Sequence, residues 1–290
     1  MIYQISHKTI YDYSDPVSLC HNLVHLKPRN GALQHTLDFL LTVEPEPAVM
    51  SESVDFFGNL TTHFTLQEPH RKLVILSEHR TEVLTGSTPD PAGTIPWEEA
   101  AARIRMARDP AALDALQYTF DSPYVGRNEE LATFARISFT PGRPLLEAVM
   151  DLTNRIHTEF EYDPHSTNLS TPLLEVLRTR KGVCQDFTQL EMGCLRSLGL
   201  ATRYISGYLM TIPAPGKPRL VGADATHAWL SVYVPGYDWI GIDPTNDLIP
   251  ADQHILVAWG RDYDDVSPIK GVIMGGGQHT VTVSVDVLPV

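Results

Sequence analysis

The chain has 290 residues, with 22 Lys and Arg against 35 Asp and Glu, a formal charge of −13 and 43% hydrophobic residues. That composition supplies a core for one large domain or about two of ordinary size, and it excludes wholesale disorder. The acidic balance argues against nucleic acid or an anionic membrane surface as partner, because both need basic residues to meet phosphate.

The first residues, Met1-Ile2-Tyr3-Gln4-Ile5-Ser6-His7, show no charged segment leading into an apolar one, so no secretory signal is expected. Phe39-Leu40-Leu41-Thr42-Val43 is only strand length, far short of the roughly 18 apolar residues of a membrane span. Three cysteines, Cys20, Cys184 and Cys194, are odd in number and sparse, which suits a reducing compartment and free thiols. A soluble cytoplasmic protein is expected.

Residues 1–85 read as β. Short alternating or β-branched segments, including 8–13, 18–26, 36–43, 60–66 and 73–84, are separated by the turn signals Asp15-Pro16, Pro28-Arg29-Asn30-Gly31, Glu44-Pro45-Glu46-Pro47 and Gly58-Asn59. They predict a small antiparallel β-sandwich domain. The breaker cluster from Gly86 to Gly93 opens a helical connector over 86–140, with helices predicted at 97–106, after Asp109-Pro110, and at 128–136. An α+β core is expected over 141–290. It starts with an amphipathic helix at 144–160, bearing Leu145, Val149, Leu152 and Ile156 at helical spacing. A helix at 187–198, strands at 202–210, 226–234 and 237–243, and a final strand at 280–287 follow.

Chemistry concentrates at Gly182-Val183-Cys184-Gln185-Asp186-Phe187. Phe187, Leu190, Cys194 and Leu198 recur at helical spacing, so a helix begins close to Cys184, and Gly182 permits a sharp entry. A thiol at a helix N-terminus meets unpaired N–H groups and the positive end of the dipole, which favour thiolate and could cradle an oxyanion. The second piece is Asp224-Ala225-Thr226-His227-Ala228-Trp229-Leu230-Ser231-Val232-Tyr233-Val234, in which His227, Trp229, Ser231 and Tyr233 share one face. Pro235-Gly236 then turns the chain into Tyr237-Asp238-Trp239-Ile240-Gly241-Ile242-Asp243. A hairpin centred near 235 or 236 sets residue 243 or 245 opposite His227 and keeps Asp243 on the His227 face. A carboxylate there could fix the imidazole's tautomer and turn the other ring nitrogen to a thiol.

These residues, with Ala201-Thr202-Arg203-Tyr204-Ile205-Ser206-Gly207-Tyr208, Thr226-His227-Ala228-Trp229 and Asp243-Pro244-Thr245-Asn246, resemble the bacterial transglutaminase-like family. Asp55-Phe56-Phe57-Gly58-Asn59 resembles a segment of the β-rich domain that often precedes its core. The resemblance implies a papain-like fold with Cys184 as nucleophile, His227 as general base and acid, and Asp243 as orienter. It implies acyl transfer from an amide through a thioester, resolved by water in a peptidase or amidase and by an amine in a transglutaminase. Cross-linking members use an upstream tryptophan as an oxyanion donor, whereas the only tryptophan before Cys184 here is Trp97. Tyr162 is the alternative donor, and Gln185 and Trp229 are further oxyanion or substrate candidates. Hydrolysis of a peptide or isopeptide substrate is therefore expected over amine transfer, with a catalytically silent peptide-binding module as the reading outside enzymes.

No cofactor or metal is expected. His21, His25, His63, His70 and His79 make no HExxH or Cys/His zinc spacing and read as scattered surface histidines, and the run Asp262-Tyr263-Asp264-Asp265 lacks an EF-hand pattern. Cys20 and Cys194 read as structural, Asp186 as an ordinary helix-start acid, and Gly275-Gly276-Gly277 as a hairpin or loop.

Overall fold

The structure, a computed structural model, describes residues 1–210 and 226–290, so Asp224 and Ala225 of the histidine segment lie outside it. β1 (Ile2–Val24) is the spine of the N-terminal sheet. β2 (Gln34–Glu44), β3 (Val49–Val54), β4 (Leu60–Leu66) and β5 (His70–Val83) follow it. Residues 2–12 of β1 pair with β5, which carries β2; residues 20–24 pair with β4, which carries β3. The expected turn at Asp15-Pro16 is instead a register irregularity between Asp12 and Val17 inside this one strand, a place where a proline without an N–H is tolerated. Both halves contribute to one apolar cluster containing Val17, Val24, Val43, Phe64, Leu66, Leu73 and Ile75. The sandwich is thus one curled sheet.

The helices begin where capping chemistry allows. α1 (Trp97–Arg105) follows Pro96; α2 (Pro110–Leu116) is capped by Asp109, which accepts from the Ala112 N–H; α3 (Glu129–Arg136) is capped by Asn128. α4 (Leu145–Glu159) buries Leu145, Val149, Leu152 and Ile156 completely, as their spacing predicts. β6 (Glu161–Tyr162), α5 (Leu173–Thr179), β7 (Lys181–Gly182) and α6 (Cys184–Ser197) come next. β8 (Thr202–Leu209), β9 (Thr226–Val234), β10 (Asp238–Ile242) and β11 (His254–Gly260) form an antiparallel sheet in the order β10-β9-β8-β11. The acidic run becomes the short helix α7 (Tyr263–Val266) with Asp262 as its cap.

Ala100 of α1 and Leu131, Phe134 and Ala135 of α3 share one core cluster with α4, α6 and the inward face of β9. The stretch expected as a connector over 86–140 therefore packs as part of the core. Arg196, in the last turn of α6, is fully buried. It donates to Thr202, Ser122 and the carbonyl of Arg261, which fixes the helix against β8 and the loops around it.

The chain's end returns to its beginning. β12 (Ile269–Gly275) and β13 (His279–Pro289) are joined through Gly275, Gly276 and Gly277, all at positive φ, and pair with the second and first halves of β1. The expected 141–290 core thus includes two strands that complete the other sheet. Alternation marks a strand but not its partner.

Two carboxamides join the parts. Gln34 donates to the carbonyl of Leu256 (2.7 Å) and accepts its N–H (2.8 Å); Asn59 does the same to Trp259 (2.8 and 3.0 Å). Both pairings satisfy backbone groups on the outer edge of β11, which would otherwise be an open sheet edge. Asn59, fully buried, is in turn held by Asp55 and by Arg29, which stacks on Trp259 at 3.6 Å. Asn59→Ala is expected to lower unfolding stability by about 2–4 kcal/mol, because it strands two buried backbone groups. A denaturant midpoint within experimental error of wild type would contradict this.

Some histidines expected on the surface are inside. His25, His70 and His79 are buried, as is His7. His7 and His79 flank Tyr208 of β8, with His7 Nδ1 at 2.9 Å from its hydroxyl. They line the inward face of the curled sheet, where its polar residues meet the core. No helix among the described residues is long and apolar enough to cross a membrane.

Candidate active site

Cys184 is the first residue of α6, half-buried, at the end of a short approach strand. Asp186, two residues on, accepts the N–H of Val183 (2.9 Å) and the hydroxyl of Thr167 (2.6 Å), so it caps the helix; Arg203 pairs with Asp114 instead. Gly182 serves a close approach and not an unusual backbone angle: a Cβ there would lie 2.8 Å from that of Asp186. The helix start is therefore tightly built, with its first-turn N–H groups beside the thiol.

β9 and β10 pair Val234 with Asp238 and Leu230 with Ile242, so the hairpin centres on residue 236 and Thr245 is the position opposite His227. Asp243 still faces the same side. Its Oδ1 accepts the N–H groups of Thr245 (3.0 Å) and Asn246 (3.2 Å), closing a turn on itself. Its Oδ2 accepts from His227 Nε2 (2.8 Å), His254 Nε2 (3.0 Å) and Asn246 Nδ2 (2.7 Å). From α4, His157 donates to the carbonyl of Thr245 and Asn154 to Asp247, which tether the turn.

Asp243 is wholly buried. Burial alone would raise its carboxyl, but the hydrogen bonds from His227 and His254, the His227 charge and Asn246 hold it well below the usual carboxylate range. Burial likewise works against a charged His227; hydrogen bonds to Asp243 and to the Cys184 thiol, with their charges, override it and raise the imidazole to about 9. With Nε2 committed to Asp243, Nδ1 is the ring nitrogen left for the thiol. Cys184, His227 and Asp243 thus gather from a helix start, a strand start and a turn, with His227 hydrogen-bonded to Asp243 and near enough to the Cys184 thiol to be raised by it.

The other candidates fall around it. Tyr162 pairs with Gly182 across the parallel β6–β7 bridge and sets its ring edge-on against Phe187. Burial and the neighbouring charges of Cys184 and Asp186 raise its hydroxyl. Gln185 occupies the first turn of α6 beside the thiol. Trp229 is buried and stacks on His227, with ring centres 5.9 Å apart and planes at 26°. Cys20 and Cys194 are buried and free, their thiols pushed up by burial.

The sequence reading missed His254, Asn246 and the purpose of Gly207. His254 lies on a strand that no periodicity signalled. Asn246 was visible only as part of a motif. His227, Asp243 and His254 bring three potential metal-ligand atoms within 4.8 Å of one another, yet these atoms are spent on each other as donors and acceptor. Gly207 on β8 leaves room for the indole of Trp229: a Cβ would press on the carbonyl oxygen of Ile255 and come within 2.5 Å of the Trp229 ring. Gly207→Ala is expected to lower the melting temperature by several degrees and to slow alkylation of Cys184, by moving Trp229 and with it His227. An unchanged melt together with an unchanged alkylation rate would rule this out.

Comparison with known proteins agrees with this fold. The model for the bacterial transglutaminase-like N-terminal region matches residues 3–82, and that for the transglutaminase-like superfamily core matches 132–244, a span that holds Cys184, His227 and Asp243. An uncharacterized protein of Mycobacterium tuberculosis is 43% identical over 99% of this chain and 92% of its own. The structure of a "Putative Cysteine Protease" from Cytophaga hutchinsonii is 22% identical and superimposes with a TM-score of 0.77 over 100% of this chain and 91% of that one, a likeness of fold. A protein-glutamine gamma-glutamyltransferase of Pseudomonas aeruginosa is 25% identical over 38% of this chain and 19% of its own.

Proposed function

The chain belongs to the transglutaminase-like superfamily, and from that premise we propose that it is a cysteine-dependent acyl-transfer enzyme that hydrolyses peptide or isopeptide amides through a thioester. The observation that carries this reading is the convergence of Cys184, His227 and buried Asp243, with His227 bonded to Asp243 at 2.8 Å and raised by the neighbouring thiol. An imidazole raised to about 9 is an imidazolium at neutral pH, and the nucleophile in the proposed reaction is the sulfur of Cys184 as thiolate, the form in which a cysteine attacks. The thiolate adds to the amide carbonyl, and the first-turn N–H groups of α6, with Tyr162 beside them, receive the developing oxyanion. As the C–N bond breaks, the His227 proton passes to the leaving amine and the thioester remains. Neutral His227 then takes a proton from water as its oxygen adds to the thioester carbonyl; the C–S bond breaks, releasing the acid and restoring the ion pair. A free thiol as nucleophile suits the reducing cytoplasm, the compartment proposed for the protein.

Amine transfer is the second reading, favoured by the named activity of the Pseudomonas aeruginosa relative. A glutamine-containing peptide incubated with and without a primary amine separates the two. Hydrolysis gives the acid under both conditions, whereas transfer incorporates the amine.

The pH dependence follows from His227. Its pKa is raised, so the proton is held below about 9 and lost above it. Amide turnover is expected to fall as the pH rises through about 9, for want of a proton for the leaving amine. Alkylation of Cys184, which needs only thiolate, is expected not to fall there. Parallel decline of both rates would contradict the assignment of His227 as the acid.

A further inference from the structure

Two imidazoles share one oxygen of Asp243. His227 reaches Oδ2 at 2.8 Å from the start of β9, and His254 reaches it at 3.0 Å from the start of β11. His227 has the Cys184 thiol as its other neighbour, whereas Nδ1 of His254 is buried without a partner among the described residues. One ring serves the nucleophile and the other does not. Asp243 is ionised at neutral pH and can only accept, so both rings donate to it through Nε2. In His254 a second proton, on Nδ1, would be a buried donor with nothing to receive it. The tautomer that fits His254 has Nε2–H and a bare Nδ1.

What the His254 bond does follows from where the other donors come from. The N–H groups of Thr245 and Asn246 and the side chain of Asn246 all belong to the carboxylate's own turn and move with it. His157 and Asn154 tether that turn from α4, but their bonds go to Thr245 and Asp247 and not to the carboxylate. Apart from His227, His254 is the one donor to Asp243 from another element among the described residues. The terminal torsion of an aspartate is broad and soft, so the aim of Oδ2 relative to the sheet rests on this bond. Its base is firm, because Gln34 holds both backbone groups of Leu256, two residues along β11. The His254 ring also stands edge-on to Trp229, with centres 5.1 Å apart and planes at 78°, on the indole that stacks on His227.

We propose that His254 is a positioning residue for the acyl-transfer site: its Nε2–H fixes the Asp243 carboxylate against the sheet, and the carboxylate in turn holds His227 toward Cys184. The proposal rests on the reading of Cys184, His227 and Asp243 as the reacting groups. His254 itself touches neither the thiol nor the reacting carbonyl; it acts through Asp243.

The test is nuclear magnetic resonance of the full chain with isotope-labelled histidine rings, in wild type, His254→Phe and His254→Gln. His254→Phe keeps a ring against Trp229 and removes the donor, whereas His254→Gln restores an N–H of similar reach. His254 is assigned by its absence in either variant, and His227 by its absence in His227→Gln. Wild-type His254 is expected to carry its proton on Nε2; a bare Nε2 would overturn the proposal. His227 is expected to titrate near 9 in wild type and to move toward its ordinary 6.5 in His254→Phe, by at least about one pH unit, with recovery in His254→Gln. A ring that served packing alone would leave His227 near 9 in His254→Phe, and one that merely competed for the carboxylate would leave it higher. Either result, or a failure of His254→Gln to recover, would overturn the proposal. In amide turnover, kcat is expected to fall about 10–100-fold in His254→Phe with KM unchanged. A raised KM at unchanged kcat would place the ring against substrate instead, and so would overturn it too. The titration needs no substrate, so it decides this proposal even if the chain hydrolyses no amide, and wild-type turnover decides that other reading. If His254→Phe does not fold, the wild-type tautomer and His254→Gln decide.

Discussion

Replacing Cys184 by Ser is expected to lower amide turnover by about 10³–10⁶-fold while leaving the fold intact. The position is half-buried at the first turn of α6, and a hydroxyl is close in size to a thiol, so packing changes little. The chemistry changes greatly, because an alcohol in the same place is not ionised by an imidazolium partner and is the poorer nucleophile at neutral pH. Intact-mass alkylation with iodoacetamide gives a readout that needs no substrate. The wild-type chain is expected to take up one label, at Cys184, since burial hides Cys20 and Cys194 and pushes both thiols up. Cys184→Ser should take up none. Amide turnover that survives the substitution would remove Cys184 from the mechanism; an absence of turnover in wild type with Cys184 unreactive would favour a binding module.

Asp243→Asn is the second large effect, and it is expected in both activity and stability. Every approach to this carboxylate is by a donor: two backbone N–H groups at Oδ1, and His227, His254 and Asn246 at Oδ2. An asparagine presents an NH₂ to one set or the other whichever way it turns, so donors meet a donor inside a fully buried site. Unfolding stability is expected to drop by about 2–4 kcal/mol. The His227 tautomer is no longer held, and turnover is expected to fall by about 10³–10⁴-fold. Because the folded-state carboxyl is depressed, its contribution to wild-type stability is complete above about pH 3.9 and is lost only as the pH falls below that. Asp243→Asn should lack this acid-sensitive part of the stability curve. Wild-type turnover in Asp243→Asn, with an unshifted denaturation midpoint, would contradict both halves of this expectation.

Much of the site is written locally. The spacing of Phe187, Leu190 and Cys194 puts a helix start near Cys184, and the alternation around His227 with the Pro235-Gly236 turn puts Asp243 on its face. The register fell on residue 236, one of the two expected centres, and the shared face did not depend on which, because both candidate partners, 243 and 245, have the same parity. The caps at Asp109 and Asn128 and the apolar stripe of α4 were equally readable, since each depends on neighbours within a turn or two.

The sequence by itself therefore determined the elements that carry Cys184, His227 and Asp243 and the family to which the chain belongs. Only the tertiary structure decided what those elements meet. It brought His254 of β11 to the same carboxylate oxygen as His227, laid Trp229 over Gly207, and aimed Gln34 and Asn59 at the open edge of β11. It also returned β12 and β13 to β1 across most of the chain and enclosed a cavity between two sheets. The physical reason is range. Helical and strand periodicities report which face of an element is buried, whereas the identity of the covering surface depends on contacts between residues far apart in the chain, and these leave no periodic mark on either segment.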